Sequence, residues 1–278
     1  MTTALIVGAN GSLGRELAKC LSGHEIDFVA WGSHELDITN RDDVLFKIKK
    51  LRPNVIFNAA AFIDADQAEV EKKELNYKVN AEGPTNLAEA ASLVDALIIH
   101  ISTDYVFDGE KTIPYSESDE TNPIQEYGKA KVAGEINVVN SGANYYIVRT
   151  SWVFGEYGKN FLQKIQSLAG QHTEISVIAD RFGRPTWAKT LADFLYYLVT
   201  NKPSYGIYNF SNDGTASWYE FAKEILREND VNVIPVSYKN FPQVAERPKY
   251  SVLSLEKAKS IGFVIPTWQE DLNTFLNR

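Results

Sequence analysis

The period of hydrophobic and polar positions switches repeatedly along the chain. Short apolar runs at Ala4 to Val7, Phe28 to Trp31, Val55 to Asn58, Ala96 to Ile101 and Tyr145 to Arg149, each bounded by turn residues, predict strands. Helical spacing fills the intervals: Leu13 to Leu21, closed by Gly23; Asp42 to Leu51; a long stretch from Asp66 to Ser92; and Glu126 to Asn140. Strands that alternate with helices of about ten or more residues must run parallel, because each crossover returns the chain to the same end of the sheet. The pattern therefore predicts an α/β fold, a Rossmann-like doubly wound parallel sheet.

After Arg149 the pattern loosens. Helices are expected at Phe161 to Ala169, Lys189 to Val199, Ser217 to Glu228 and Trp268 to Leu276, and strands at Ile175 to Ile178 and Ile207 to Phe210. Prolines at 185, 203, 235, 242, 248 and 266 interrupt them. The expected division is a dinucleotide-binding domain over 1–150, with 175–200 returning to it, and a smaller substrate lobe over most of 151–278. That lobe would fold over the carboxyl ends of the parallel strands, where open α/β sheets bind ligands.

At 278 residues and 44% apolar, the chain can bury the core of one large domain or two closely packed ones. A net charge of -8, a pI near 5.2 and the lack of basic blocks argue against nucleic acid or an anionic membrane as partner, and favour a small substrate. Cys20 is the only cysteine, which excludes an internal disulfide and suggests a reducing compartment. Met1-Thr2-Thr3 runs straight into the first strand, and nothing approaches the ~18 apolar residues of a membrane span. A cytoplasmic location is expected.

Two motifs carry chemistry. Gly8-Ala9-Asn10-Gly11-Ser12-Leu13-Gly14 follows the first strand and opens the first helix, a context that sets a pyrophosphate on a helix amino terminus. Its spacing is GxxGxxG, and a plain glycine turn is the alternative. Further on, Tyr127-Gly128-Lys129-Ala130-Lys131 follows Ser102-Thr103-Asp104 by twenty-four residues. Residues four apart share a helix face, so Lys131, not Lys129, can sit beneath Tyr127.

A phenol keeps its proton up to a pH of about 10. An ammonium about 4 Å away, at an effective dielectric near 20, acts with roughly 4 kcal/mol, or about three pKa units. Tyr127 is therefore expected to titrate near neutrality, as a general acid should, with Thr103 orienting or sharing its oxygen. The same spacing also fits a solvated helix start whose Tyr and Lys meet by chance.

Loop, threonine and Tyr-Lys pair together resemble the extended short-chain dehydrogenase/reductase superfamily. Longer stretches resemble the dTDP-4-dehydrorhamnose reductase family more narrowly: Asn58 to Ala61, Asp64 to Glu69, Ile101 to Gly109, Tyr127 to Glu135, Arg149 to Gly155, Gly183 to Thr186, Ser217 to Ala222, and Arg247-Pro248 followed by Ser251 to Leu253. They span nearly the whole chain.

The resemblance implies hydride transfer from a nicotinamide to C4 of a 4-keto-6-deoxy sugar on dTDP, giving dTDP-L-rhamnose. Tyr127 would donate the proton, Lys131 would tune it and hold the nicotinamide ribose, and Thr103 would adjust the geometry. By the same resemblance Gly11, Ser12 and Leu13 line the pyrophosphate, Asp37 and Ile38 the adenine, and Ala60, Ala61 and Phe62 the cofactor beyond the third strand. Thr103, Asp104 and Trp152 would meet the substrate.

Where NAD-selective sites carry an acid at the second strand's end, this chain reads Trp31-Gly32-Ser33-His34, with Glu35 and Asp37 only later. NADPH is therefore expected, with NADH possible. Arg184 and Arg247 suit the substrate's diphosphate, or form ion pairs. Asp64, Asp66 and Glu69 are expected to start a helix, with no metal assigned. Phe62 stands where the family commonly has Tyr or His, and Asp180-Arg181 replaces its usual Asp-Gln. Lys189 stands where some members place a carboxylate of a magnesium-bridged dimer, so a monomer or weak homodimer is expected. Rival readings are a 4,6-dehydratase, which would need an acid where Tyr105 stands, a 4-epimerase, or a non-catalytic regulatory relative.

Overall fold

A computed structural model describes residues 3–241 and 243–278, so Met1, Thr2 and the interrupting Pro242 lie outside the described residues. Strands β1 (Ala4–Val7), β2 (Phe28–Trp31), β3 (Val55–Asn58), β4 (Leu97–Thr103), β5 (Tyr145–Thr150) and a sixth, Gly206–Asn209, form one parallel sheet. Their spatial order is the sixth strand, β5, β4, β3, β1, β2. The chain steps outward from β1 to β2 and then crosses back to β3, so the order reverses between β1 and β3. Crossover connections diverge there and leave a crevice at the carboxyl ends.

All four residues of β1 and of β3 are buried, as expected for strands covered on both faces. Successive side chains point to opposite faces. Ala4 and Ile6 pack with Leu17, Tyr146 and Phe194 under helix Ser12–Gly23 and helix Ala188–Asn201. Leu5 and Val7 pack with Val44, Ile48 and Leu87 under helices Arg41–Leu51 and Gly83–Val94 on the other side. A third cluster, around Phe154, Leu162, Phe221, Trp268 and Leu272, builds the core of the later residues.

Three departures from the pattern concern the longer elements. The long helix expected from Asp66 to Ser92 is broken into Ala65–Glu69, Lys73–Tyr77, a π-helical turn Lys78–Glu82, and Gly83–Val94. Buried Asn80 on that turn accepts from the Phe62 amide at 3.1 Å and donates to the Phe62 carbonyl at 2.7 Å, pinning the loop after β3. Strand β4 runs on through Ser102 and Thr103, paired with Arg149 and Thr150 of β5, so polar residues end the strand at the crevice. Strand Asn232–Val236, parallel to Glu174–Ile178, was hidden by Pro235, which reads against a strand but is tolerated at the edge of a two-stranded sheet.

Helix Glu126–Val139 is capped by the Gln125 side chain, which accepts from the Gly128 amide. A Cβ on Gly128 would sit 2.1 Å from the Tyr105 carbonyl oxygen. Glycine here lets the helix start press against the turn after β4, which brings Tyr127 to Thr103.

Candidate functional site

A cleft of about 530 Å³ opens at the carboxyl ends of β1, β3, β4 and β5. Its walls bring together Gly11, Ser12 and Leu13 with Ala60 and Ala61, and both groups with Thr103, Asp104, Tyr127, Lys131 and Trp152. A second hollow of about 350 Å³ adjoins it, sharing Gly11, Ala60 and Ala61 and adding Gly8, Asn10, Asp37, Ile38 and Phe62. Gly14 lines neither hollow and instead packs its Cα against the Gly8 carbonyl.

The glycine loop is shaped for an anion. Gly8 adopts φ +81°, and a Cβ there would lie 2.5 Å from the Ala60 amide nitrogen. Helix Ser12–Gly23 begins at Gly11 without a side-chain cap, leaving its first amides unclaimed by a side chain. Ser12 Oγ is buried and lacks a partner among the described residues. Uncapped amides, an orphaned hydroxyl and the positive end of a helix dipole fit a pyrophosphate. Gly8→Ala is expected to cost about 1–3 kcal/mol in strain and to weaken dinucleotide binding; thermal unfolding and a cofactor titration measure both, and an unchanged pair of values would refute the cradle.

At the end of β2 the Glu35 carboxylate folds back and accepts from the Gly32 amide at 2.8 Å. Linear reading placed this acid too far on. The turn Gly32 to Glu35 returns it to the strand end.

Tyr127 faces the cleft one turn before Lys131. Burial among protein atoms pushes the phenol well above its ordinary range, Asp104 adds to that, and the Thr103 hydroxyl opposes both. The expected fall towards neutrality is thus not what the structure shows. Lys131 is nearly fully buried and turns its Nζ to the Ile101 carbonyl and, at 3.4 Å, to His100 Nε2. Burial pulls Lys131 down to about 8, with Glu135 opposing. Of the pair, the lysine is the group that burial moves towards neutrality, while the phenol moves away from it.

Asp104 is buried, accepts from Thr103 Oγ1 at 3.2 Å and from Ser251 Oγ, and is pushed by burial up to about 7. Trp152 lines the cleft with φ +47°, a left-handed conformation uncommon outside glycine, and meets Trp218 edge-on at 6.0 Å. Arg184 and Arg247 do not line the cleft. The structure gives them as ion pairs: Arg184 Nη1 with Asp213 at 3.1 Å, and Arg247 Nη2 with Asp66 at 2.9 Å. Asp64 caps its helix by accepting from the Gln67 amide at 3.0 Å, and Glu69 accepts from the Glu126 amide at 2.7 Å.

Ser151, Tyr157 and Asn160, to which the sequence assigns no role, also line the cleft, as does Tyr105, which stands where a dehydratase needs its acid. Ser151 follows the end of β5, the one strand end at which only the tryptophan was singled out. Tyr157 carries the Arg15 guanidinium 4.8 Å from its ring centroid, a contact between distant segments that no local pattern announces. Cys20 is half-buried, its thiol pushed up to about 12 by burial and Asp193, and lies away from the cleft.

The family model described as RmlD substrate binding domain matches residues 1–278. The chain is 40% identical to the dTDP-4-dehydrorhamnose reductase of Aggregatibacter actinomycetemcomitans, over 98% of this chain and 97% of that one. This chain belongs to the dTDP-4-dehydrorhamnose reductase family. Another member of the family, from Bacillus anthracis and solved in complex with NADP, superposes with a TM-score of 0.96 at 40% identity, covering 100% of this chain and 99% of that one. A third relative, the spore coat polysaccharide biosynthesis protein SpsK of Bacillus subtilis, is 36% identical over 99% of this chain and 97% of its own length. The Thermus thermophilus UDP-glucose 4-epimerase shares the fold, with a TM-score of 0.84 at 17% identity. Among the described residues no helix is long and apolar enough to cross a membrane.

Proposed function

We propose that this reductase-family protein is an NAD(P)H-dependent oxidoreductase that reduces the C4 keto group of dTDP-4-dehydro-6-deoxy-L-mannose to dTDP-L-rhamnose in the cytoplasm. The observation that carries the reading is the convergence of Thr103, Tyr127 and Lys131 in one cleft, directly opposite an uncapped glycine loop. The cofactor half is residues 1–150 joined by helix Ala188–Asn201 and strand Gly206–Asn209, so the returning segment starts near 188 rather than at 175 as expected; strand Glu174–Ile178 packs with Phe221 in the substrate lobe, which most of the other residues of 151–278 form.

Gly8, Asn10, Gly11, Ser12, Leu13 and Gly14 hold or shape the pyrophosphate cradle, Asp37 and Ile38 border the adenine end, and Ala60, Ala61 and Phe62 form the wall after β3. A reduced nicotinamide dinucleotide bound there supplies the hydride. NADPH is the favoured form, and the Glu35 carboxylate at the β2 end suits the ribose hydroxyl of NADH as well.

Tyr127 keeps its proton throughout the neutral range, because burial disfavours the phenolate, and gives it to the C4 oxygen as negative charge develops. Thr103 meets that oxygen from the end of β4, and Asp104 and Trp152 seat the sugar. Lys131, as an ammonium, stabilises the phenolate left behind.

The sign of the pH dependence follows. Lys131 carries its charge below about 8 and loses it above, so kcat/KM is expected to fall as pH rises through that value. A profile flat well beyond it would remove Lys131 from the mechanism. The main test mixes purified protein, NADPH and the 4-keto sugar nucleotide, follows loss of NADPH absorbance, and identifies the product by NMR. Net consumption with a rhamnose product is expected; turnover without net consumption would make the protein an epimerase. The acid that a dehydratase needs after Asp104 is replaced by Tyr105.

A further inference from the structure

Below the cleft floor lies a polar chain that the reaction as described does not use. Asn58 ends β3 and His100 stands opposite it on β4 in the sheet register. Both are buried, at 1% and 0% exposure. Asn58 Nδ2 is 3.0 Å from His100 Nδ1, and His100 Nε2 is 3.4 Å from Lys131 Nζ. Buried polar side chains keep their place in a core only when they are hydrogen-bonded, and these two meet each other across β3 and β4.

The hydrogens can be placed by elimination. Asn58 Oδ1 accepts from the Ala60 amide at 3.2 Å. A backbone N–H can only donate, so the carboxamide oxygen is fixed on that side and Nδ2 faces the ring. Nδ2 donates, so His100 Nδ1 must be the bare acceptor, and the ring hydrogen resides on Nε2. A neutral ring agrees with its surroundings, since burial and Lys131 both hold His100 well below its ordinary range. The imidazole therefore turns an N–H, not a lone pair, towards the lysine. A neutral amine can accept that hydrogen and an ammonium cannot.

We propose that His100, locked as its Nε2–H tautomer by Asn58, is a positioning residue that tunes Lys131 and steers its ammonium to the Ile101 carbonyl and the cleft. The proposal deepens the proposed function, because it rests on Lys131 serving Tyr127. The lock begins at Ala60, whose residue lines both hollows, so the seating of the loop after β3 is tied to the lysine through Asn58 and the ring.

Other groups act on Lys131 too. Glu135, one turn along the same helix and held by Arg149 of β5, favours the charge. Asp104 at the end of β4 and Tyr127 border the same cleft. None of these changes in a His100 variant.

The experiment titrates the Lys131 amine directly by the NMR shift of its ¹³Cε, assigned with Lys131→Arg, in the full-length protein. His100→Leu removes the facing N–H and is expected to raise the midpoint by about one pH unit. His100→Gln keeps a donor at the same reach and should leave it near the parent value. Should His100→Leu not fold, His100→Met fills the slot without a donor and reads the same quantity. An unchanged midpoint in the donor-free variant overturns the proposal, as does an equal rise in His100→Gln. Turnover measured alongside keeps the two readings apart. If the midpoint moves but the parent protein consumes no NADPH on the 4-keto sugar nucleotide, the tuning stands and the proposed function fails.

Discussion

Tyr127→Phe is expected to lower kcat by roughly two to four orders of magnitude, the usual contribution of a positioned general acid. The change removes one oxygen and little else. The Tyr127 ring meets Tyr105 edge-on, with centroids 6.1 Å apart and planes at 81°, and a phenyl ring keeps that contact. Gly128 still packs on the Tyr105 carbonyl, so the helix start holds. Affinity for NADPH, measured by fluorescence titration, should stay within a few-fold of the parent, because the pyrophosphate cradle at Gly8 to Ser12 is built from backbone and Ser12 and does not use the lost hydroxyl. Steady-state rates on the 4-keto sugar nucleotide then isolate the proton transfer. A variant that turns over at the parent rate would end the case for Tyr127 as donor, and a large loss of cofactor affinity would make the phenol a binding group instead.

The reversal in the Tyr127–Lys131 pair shows where linear reading stops. Spacing placed the two residues on one face, and so they are. Spacing could not state that Lys131 would be almost fully buried, nor that its nitrogen would turn to β4. Desolvation, which depends on everything packed around a group, outweighs the pairwise attraction that sequence can supply. The glycine loop was legible for the opposite reason: its function depends on backbone conformation at Gly8 and on one helix start, both local. Arg247 and Asp66 show the limit again, since a contact across 181 residues leaves no local trace. Glu35 lies between these cases, a local turn that a strand-end rule counts past.

Glu135→Leu is expected to destabilise the protein by about 3–5 kcal/mol, the cost of leaving a buried guanidinium without its partner. Glu135 and Arg149 are joined by two parallel bonds, Nε to Oε1 at 2.9 Å and Nη2 to Oε2 at 2.7 Å, with side chains only 5% and 3% exposed. The pair ties helix Glu126–Val139 to β5, and the guanidinium lies 5.1 Å from the Phe107 ring centroid. Removing both charges should hurt less than removing one, so Glu135→Leu combined with Arg149→Met is expected to recover most of the loss. Denaturant midpoints of the two single variants and the double variant close the cycle. The same substitution reaches the site, because Glu135 is the group that favours charge on Lys131. Its loss should therefore move the alkaline fall in kcat/KM to lower pH in whatever protein remains folded. A single variant within about 1 kcal/mol of the parent would show that water reaches Arg149 and that the pair is not structurally required.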